Sequence, residues 1–451
     1  MTASTRPVRV AVVGAGPAGL FAADALVGQA DVAVDVDLIE RLPTPYGLVR
    51  YGVAPDHPTI KSVIHTLQGI LEHPRIRFIG AIEFGRDVLR EDLLECYDAV
   101  VYTTGAQIDR RLGIPGEDLL GSISATEFVS WYNGHPDFER GHSLDGESVA
   151  VIGAGNVALD VSRILVRPCE HLARTDVPVP VLARLGENRA REVHVIGRRG
   201  PEHAKFASKE LRELDVVTEI DRVVRPADLA GADEPGLDRR ARANLDVLQK
   251  WSTQPPRANA RKVQFRFFRK PVEIIGRTRV EALRLERLTV DGSGAAAGTG
   301  EFETIPVQLV VRAVGYRSAA LPGVPFDDDA GVIPNDAGRI VDGTGAPLPG
   351  EYVAGWVKRG ATGVIGTNKS DARETVSALL EDLAKTDSNR PAGRRIEDAL
   401  AAGSARWIDY TGWRRIDEAE LGRGASEGRV RSKIPDWASL NDIALRATTE
   451  P

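Results

Sequence analysis

A chain of 451 residues is longer than one typical core, so two or three domains are expected. Hydrophobic residues at 42% and charged residues at 27% make an ordinary soluble composition without a membrane span, and a net charge of −6 disfavours general affinity for nucleic acid. Cys96 and Cys169 lie far apart in sequence, which excludes a disulfide framework and a Cys-x-x-Cys redox pair, and no basic-then-apolar leader precedes residue 8, so a cytoplasmic location is expected.

In chain order, residues 9–13 read as a short buried strand and 18–26 carry apolar residues at helical spacing, giving strand, tight turn, helix. A second strand follows at 34–39, and then a loop at 42–48 that two prolines and a glycine keep out of any helix. Residues 98–105 read as a strand entering a small-residue turn, and 149–152 open a second strand-turn-helix unit. A Pro-, Arg- and Ala-rich insertion at 175–190 separates that unit from its next strand, 192–196. Short alternating runs dominate 263–314, with a hairpin tip expected at 292–300. The run 309–315 echoes 98–105, as a chain re-entering its first domain would. The expected fold class is therefore α/β, with two Rossmann-like three-layer dinucleotide-binding domains. Residues 1–107 and 319–451 form the first and 108–318 the inserted second.

Gly14-Ala15-Gly16-Pro17-Ala18-Gly19 has the G-x-G-x-x-G spacing. Its first glycine makes the turn, the second admits a pyrophosphate, the third lets helix and strand approach, and the helix N-terminus then faces the phosphates. Glu40 ends the following strand, where a carboxylate can accept both hydroxyls of an adenosine ribose; without the glycines it would read as a solvated strand-end acid. FAD is expected here, since a second and different site follows.

That second site is Gly153-Ala154-Gly155-Asn156-Val157-Ala158, with alanine in place of the third glycine. Its next strand runs into Arg198 and Arg199 instead of an acid. Guanidiniums donate charge-assisted hydrogen bonds to a 2′-phosphate that a carboxylate would repel, so NADP(H) is expected; ordinary surface charge is the bland alternative. A third cluster, Trp356 with Gly363, Val364 and Ile365, places an indole and a glycine turn before a helix near Asp371. This suits the strand that meets an isoalloxazine, although a core tryptophan with turn glycines would look alike. No catalytic triad or metal-ligand spacing is apparent.

With these residues in view, the chain resembles the adrenodoxin reductase family, including its bacterial NADPH-ferredoxin reductases, over nearly its whole length. The resemblance is carried by Pro43-Thr44-Pro45-Tyr46-Gly47-Leu48-Val49-Arg50 with Gly52-Val53-Ala54-Pro55-Asp56-His57-Pro58, and by Gly155-Asn156-Val157-Ala158-Leu159-Asp160. Gly197-Arg198-Arg199-Gly200-Pro201, Glu210-Leu211-Arg212-Glu213-Leu214 and the run 362–369 complete it. It implies a glutathione reductase-like flavoprotein architecture, with FAD contacts at Ala15, Glu40, Leu48, Trp356, Gly363, Val364 and Ile365. NADP contacts are implied at Asn156, Val157, Ala158, Arg198, Arg199, Glu210 and Gly363. His57 and Glu210 are implied to lie near the flavin-nicotinamide region, in proton handling. By residue type alone, His57 reads as a surface loop histidine and Glu210 as part of a solvated helix face. The segment 202–208 is more polar than the family pattern, and the residues after Lys385 are not diagnostic.

The activity implied is hydride transfer from NADPH to FAD and single-electron transfer to an acidic iron-sulfur ferredoxin, feeding an oxygenase such as a cytochrome P450. Alternatives are an NADPH oxidase or flavin monooxygenase, or a non-enzymatic redox sensor. Arg239, Arg240 and Arg242, with Lys358 and Arg359, form the candidate docking patch, though a solvated helix face explains the trio equally well. Nothing in the sequence specifies an oligomeric state.

Overall fold

The computed structural model describes residues 6–446 apart from 139–140, 218, 231, 233–235, 256, 258–260, 291–295 and 386–392. It divides into two compact units, Met1–Ile108 with Tyr316–Pro451, and Asp109–Gly315.

The first unit is built on a seven-stranded sheet in the order Asn335–Asp336, Arg339–Val341, Pro347–Val353, Ala99–Tyr102, Val8–Val13, Val34–Glu40, Ile76–Gly80. The last five strands in that order are parallel, and the first two run antiparallel to their neighbours. Successive residues of a strand point to opposite faces, so a parallel sheet covered on both sides needs continuous apolar runs. Val10 and Val12 accordingly pack with Leu20 and Ala23 of the helix Pro17–Val27 and with Val376 and Leu379 of the helix Thr367–Lys385. Ala11, Val13 and Val100 face the other way, toward Leu93, Ile333 and Leu400.

The C-terminal segment completes this unit. Ile408 bridges Gly80 at the edge of the sheet. The helix Tyr410–Ser426, capped by Asp409 accepting from the Gly412 N–H at 2.7 Å, sinks Trp413 into the core beside Tyr46, rings edge-on at 5.8 Å. The same helix carries Glu420, fully buried, which accepts from Arg50 Nη2 at 2.5 Å, Arg431 Nη1 at 2.9 Å and the Ile434 N–H at 2.9 Å. Lys433 Nζ donates to the Arg50 carbonyl at 2.9 Å. Residues that were not diagnostic in the sequence thus hold the loop around Tyr46 and Arg50.

The second unit has six strands, all parallel, in the order Ser122–Ser124, Leu309–Arg312, Ser148–Ile152, Glu192–Ile196, Arg261–Arg266, Ile220–Val224. Val149, Val151, Val193 and Val195 pack on helical residues such as Leu159, Leu248 and Trp251. Ala150, Ile152, Ile196 and Val310 pack instead on Leu283, Leu285 and Ile305 of a three-stranded antiparallel sheet, Arg269–Ile275, Ala282–Val290 and Ala296–Pro306. Each unit is therefore a three-layer dinucleotide-binding fold.

Three expectations gain detail. The insertion at 175–190 contains a helix, Val179–Gly186, because Val181 and Leu185 fall on one face and are buried. The hairpin expected at 292–300 is present, since Ala282–Val290 pairs antiparallel with Ala296–Pro306; residues 292–295 lie outside the described residues, and 296–300 already belong to the second strand. The helix expected near Asp371 starts at Thr367. Among the described residues no helix is long and apolar enough to cross a membrane.

Candidate functional site

In the first unit the glycine turn is pinned from three sides. The Gly14 N–H donates to the Ile39 carbonyl at 2.7 Å, and Gly14 has φ +110°. A Cβ there would lie 2.8 Å from the Thr103 carbonyl oxygen, and one on Gly19 would lie 1.9 Å from the Gly14 oxygen. Thr103 Oγ1 also donates within 3.0 Å to both the Val13 and Gly14 carbonyls. Pro17 takes the first helical position, where no N–H is needed, and among the described residues no side chain caps the helix, so its first-turn N–H groups suit an anion.

Glu40 does more than the sequence indicates. Its Oε2 accepts from the buried Ala15 N–H at 2.8 Å and its Oε1 from the Leu42 N–H at 3.1 Å, so it ties the turn to the second strand. Each oxygen keeps a lone pair for a ribose hydroxyl. Burial pushes the Glu40 carboxyl upward, against the opposing pull of those two amides and Arg41.

The loop of residues 43–48 lies over this turn. Tyr46 donates its N–H to the Ala15 carbonyl at 2.9 Å, and a Cβ on Gly47 would stand 3.1 Å from Gly16 Cα. Leu48, 44% exposed, then opens the short helix Leu48–Tyr51. His57, against its reading as a surface residue, is 4% exposed, and its carbonyl accepts from the Ile60 and Lys61 N–H groups.

The third cluster is brought to the same place. Gly355, at φ +83°, sits so close to the first helix that a Cβ would lie 2.6 Å from Ala18 Cβ, and its N–H donates to Asp371 Oδ2 at 2.5 Å. Trp356 opens a helical turn, donates Nε1–H to the Thr362 carbonyl at 2.9 Å and stacks on Tyr316 at 6.1 Å. Gly363 and Val364 are exposed and Ile365 half-buried. The proposed docking role of Lys358 and Arg359 does not survive. Lys358 is buried against Glu374 at 2.6 Å and Asp371 at 3.3 Å, and Arg359 pairs with Asp371 at 3.0 Å.

The second unit repeats the turn with a different chemistry. The Gly153 N–H donates to the Ile196 carbonyl at 2.9 Å, and a Cβ at its φ of +145° would lie 2.2 Å from the Ala313 oxygen. Gly155 differs: among the described residues, nothing beyond its chain neighbours lies within 4 Å of where its Cβ would be. The helix Asn156–Val166 starts next, with half-buried Val157 in its first turn and no side-chain cap. Ala158 is fully buried in the core, so it serves helix packing with its side chain. Asn156 Oδ1 is engaged by the Ala207 N–H at 2.7 Å.

Arg198 and Arg199 follow the neighbouring strand, exposed and without an ion-pair partner among the described residues. Glu210 is 8% exposed on the short helix Ser208–Glu213, so its reading as part of a solvated face fails; that helix buries both Glu210 and Leu211.

Residues 8–233 match the family model described as pyridine nucleotide-disulphide oxidoreductase. NADPH-ferredoxin reductase FprA from Mycobacterium tuberculosis (strain ATCC 25618 / H37Rv) is 46% identical, with 98% of this chain and all of the relative aligned. The mitochondrial NADPH:adrenodoxin oxidoreductase of Arabidopsis thaliana is 39% identical, over 97% of this chain and 96% of the relative. A solved structure of M. tuberculosis FprA in complex with NADPH superposes with a TM-score of 0.93 at 45% identity, covering 98% of this chain and all of the other.

The chain belongs to the adrenodoxin reductase family.

As a member it is an oxidoreductase, yet the disulphide in the family model's description has no counterpart here. Free Cys96 is buried in the first unit and free Cys169 half-buried in the second, and burial pushes both thiols above the usual range. Sequence reasoning missed Thr103, Asp371 and Glu420, which hold the first turn, Gly355 and Arg50. The paired threonines after the strand Ala99–Tyr102 were the available signal for the first; the other two depend on contacts remote in sequence.

Proposed function

We propose that this adrenodoxin reductase family member is an FAD-dependent ferredoxin–NADP reductase that takes hydride from NADPH and passes electrons singly to an iron-sulfur ferredoxin. The contrast between the two glycine turns carries this reading. The first presents Glu40, an acceptor suited to a ribose diol, and the second presents two exposed guanidiniums, without an ion-pair partner among the described residues, suited to a ribose 2′-phosphate. The similarity to proteins named NADPH-ferredoxin reductase and NADPH:adrenodoxin oxidoreductase over nearly their full length supports the same assignment.

The open space at Gly155, the uncapped helix N-termini and the unpaired arginines fit the two dinucleotides. In the first unit, Gly14, Gly16, Pro17 and Gly19 would shape the FAD pyrophosphate site and Glu40 hold its ribose. Leu48, Trp356, Gly363, Val364 and Ile365 would line the ring. In the second, Gly153, Gly155, Asn156, Val157 and Ala158 would form the turn and first helical positions for NADPH, with Arg198 and Arg199 on its 2′-phosphate. When bound, the flavin supplies the conversion of one hydride into two single electrons. The protein orients the nucleotides and excludes water, while the buried His57 and Glu210 are assigned proton handling.

The ferredoxin is expected to be acidic. Arg239, Arg240 and Arg242 are exposed in the first turn of the helix Arg239–Ser252, where positive charge opposes the helix dipole. Their placement costs helix stability, which favours a docking role over a merely solvated face. A cytoplasmic location and an oxygenase such as a cytochrome P450 downstream complete the proposal.

The test is reduction of cytochrome c by the flavin-loaded protein with NADPH, with and without an acidic ferredoxin. The proposal requires reduction to depend on ferredoxin and to fall in Arg239→Glu/Arg242→Glu. Equal rates with and without ferredoxin would instead support the oxidase alternative.

A further inference from the structure

The loop between the strand Glu192–Ile196 and the helix Ser208–Glu213 is fastened to the second glycine turn at two points. The Lys205 N–H donates to the Ala154 carbonyl at 2.8 Å and the Ala207 N–H to Asn156 Oδ1 at 2.7 Å. These bonds bracket Gly155, the position where a Cβ would meet no described residue beyond its chain neighbours within 4 Å. Ala204 at 2% and Phe206 at 0% exposure are buried, whereas Lys205 between them is exposed. Among the described residues Lys205 has no carboxylate within ion-pair distance; the loop's one acid, Glu202, lies beside His203, Oε1 to Nε2 3.5 Å. The backbone of Lys205 is therefore fastened to the turn beside its open space, and its exposed side chain has no ion-pair partner among the described residues.

We propose that Lys205 is a ligand of the nicotinamide nucleotide's pyrophosphate, a cation additional to the 2′-phosphate pair Arg198 and Arg199. The inference rests on the second turn's being the NADP site. Its anchoring residue, Ala154, belongs to the pyrophosphate part of the turn, whereas Arg198 and Arg199 follow the strand that selects the ribose. Lys205 therefore contributes equally to binding coenzymes with and without a 2′-phosphate, and the arginines only to the former. An ammonium is a point charge on a flexible stem, which suits pyrophosphate oxygens without fixed bidentate geometry.

Calorimetric titration of the flavin-loaded protein with NADP⁺, NAD⁺ and 2′-AMP separates these roles, with thermal melting as the check on folding. Lys205→Met is expected to weaken NADP⁺ and NAD⁺ by the same factor, roughly ten-fold for one charge-assisted contact, and to leave 2′-AMP unchanged. Lys205→Arg restores most of the loss. Arg198→Ala, the control, weakens NADP⁺ and 2′-AMP but not NAD⁺. Unchanged affinity in Lys205→Met overturns the proposal, as does a loss confined to NADP⁺, which would move Lys205 to the 2′-phosphate. If Arg198→Ala affected NADP⁺ and NAD⁺ alike, the NADP assignment underneath would fail instead.

Discussion

At the scale of single residues, the two glycines of the second turn have separable duties. Gly153 combines φ +145° with a neighbouring carbonyl 2.2 Å from any Cβ, while Gly155 has ordinary backbone angles and open space around it. Gly153→Ala is expected to destabilise the second unit by about 1–3 kcal/mol through strain, read as a lower melting temperature. Gly155→Ala should melt like the parent yet raise the KM for NADPH about ten-fold or more, because its methyl group enters the space the pyrophosphate needs. Equal melting losses in both variants would show that Gly155 is structural too. The shared spacing of these glycines was plain in the sequence. Their difference was not, because it depends on Ala313, remote in sequence, and on φ.

Among elements, the C-terminal helix Tyr410–Ser426 shows what a sequence conceals. Its pattern is mostly polar, and its contribution comes from Trp413 and Glu420, whose partners Tyr46 and Arg50 lie hundreds of residues earlier. Burial opposes charge on both Glu420 and Arg50, but their mutual attraction and hydrogen bonds, with Arg431, hold the carboxylate below and the guanidinium above their usual ranges. Glu420→Ala leaves Arg50 buried without its counter-charge and is expected to cost about 3–5 kcal/mol in urea unfolding. A loss below about 1 kcal/mol would mean that the pair is not holding the loop.

The second unit carries an acid-sensitive pair of its own. His142 is half-buried against Phe128 and Trp131, with Glu127 at 3.9 Å, and the loss of solvent lowers it to about 4. His194 is lowered to about 4 by burial and then by Arg266, whose Nε lies 3.3 Å away; Ser148 and Glu192 are its other neighbours. Because both folded values lie below the ordinary 6.5, the folded state binds fewer protons. Their neutral-state stability is fully present above pH 6.5 and is lost as pH falls from there to about 4. The loss is on the order of 3 kcal/mol per histidine. Urea unfolding across this range should show declining stability, and His142→Phe should flatten the decline. An unchanged slope in that variant would exclude His142 as a cause.

For the whole molecule, the alternation of buried strands and helices was legible because parallel sheets covered on both faces write continuous apolar runs such as residues 8–13 and 149–152. The antiparallel layer of the second unit was legible only as alternation, and the buried positions of His57, Glu210 and Lys358 were misjudged. Charge in a sequence says nothing about a partner brought from elsewhere, and each of these side chains is covered by packing that local pattern does not reveal.

The central claim is that two like turns are set apart by the residues that end their second strands: Glu40 for FAD, Arg198 and Arg199 for NADPH. Anaerobic stopped-flow bleaching of the bound flavin's absorbance by NADPH and by NADH tests it in one measurement. NADPH should be strongly preferred by the parent, by roughly a hundred-fold or more if each arginine contributes a charge-assisted bond. Arg198→Ala/Arg199→Ala should erase that preference by weakening NADPH alone, with bound flavin retained. Equal slowing with both coenzymes, or a preference that survives the double substitution, would contradict it.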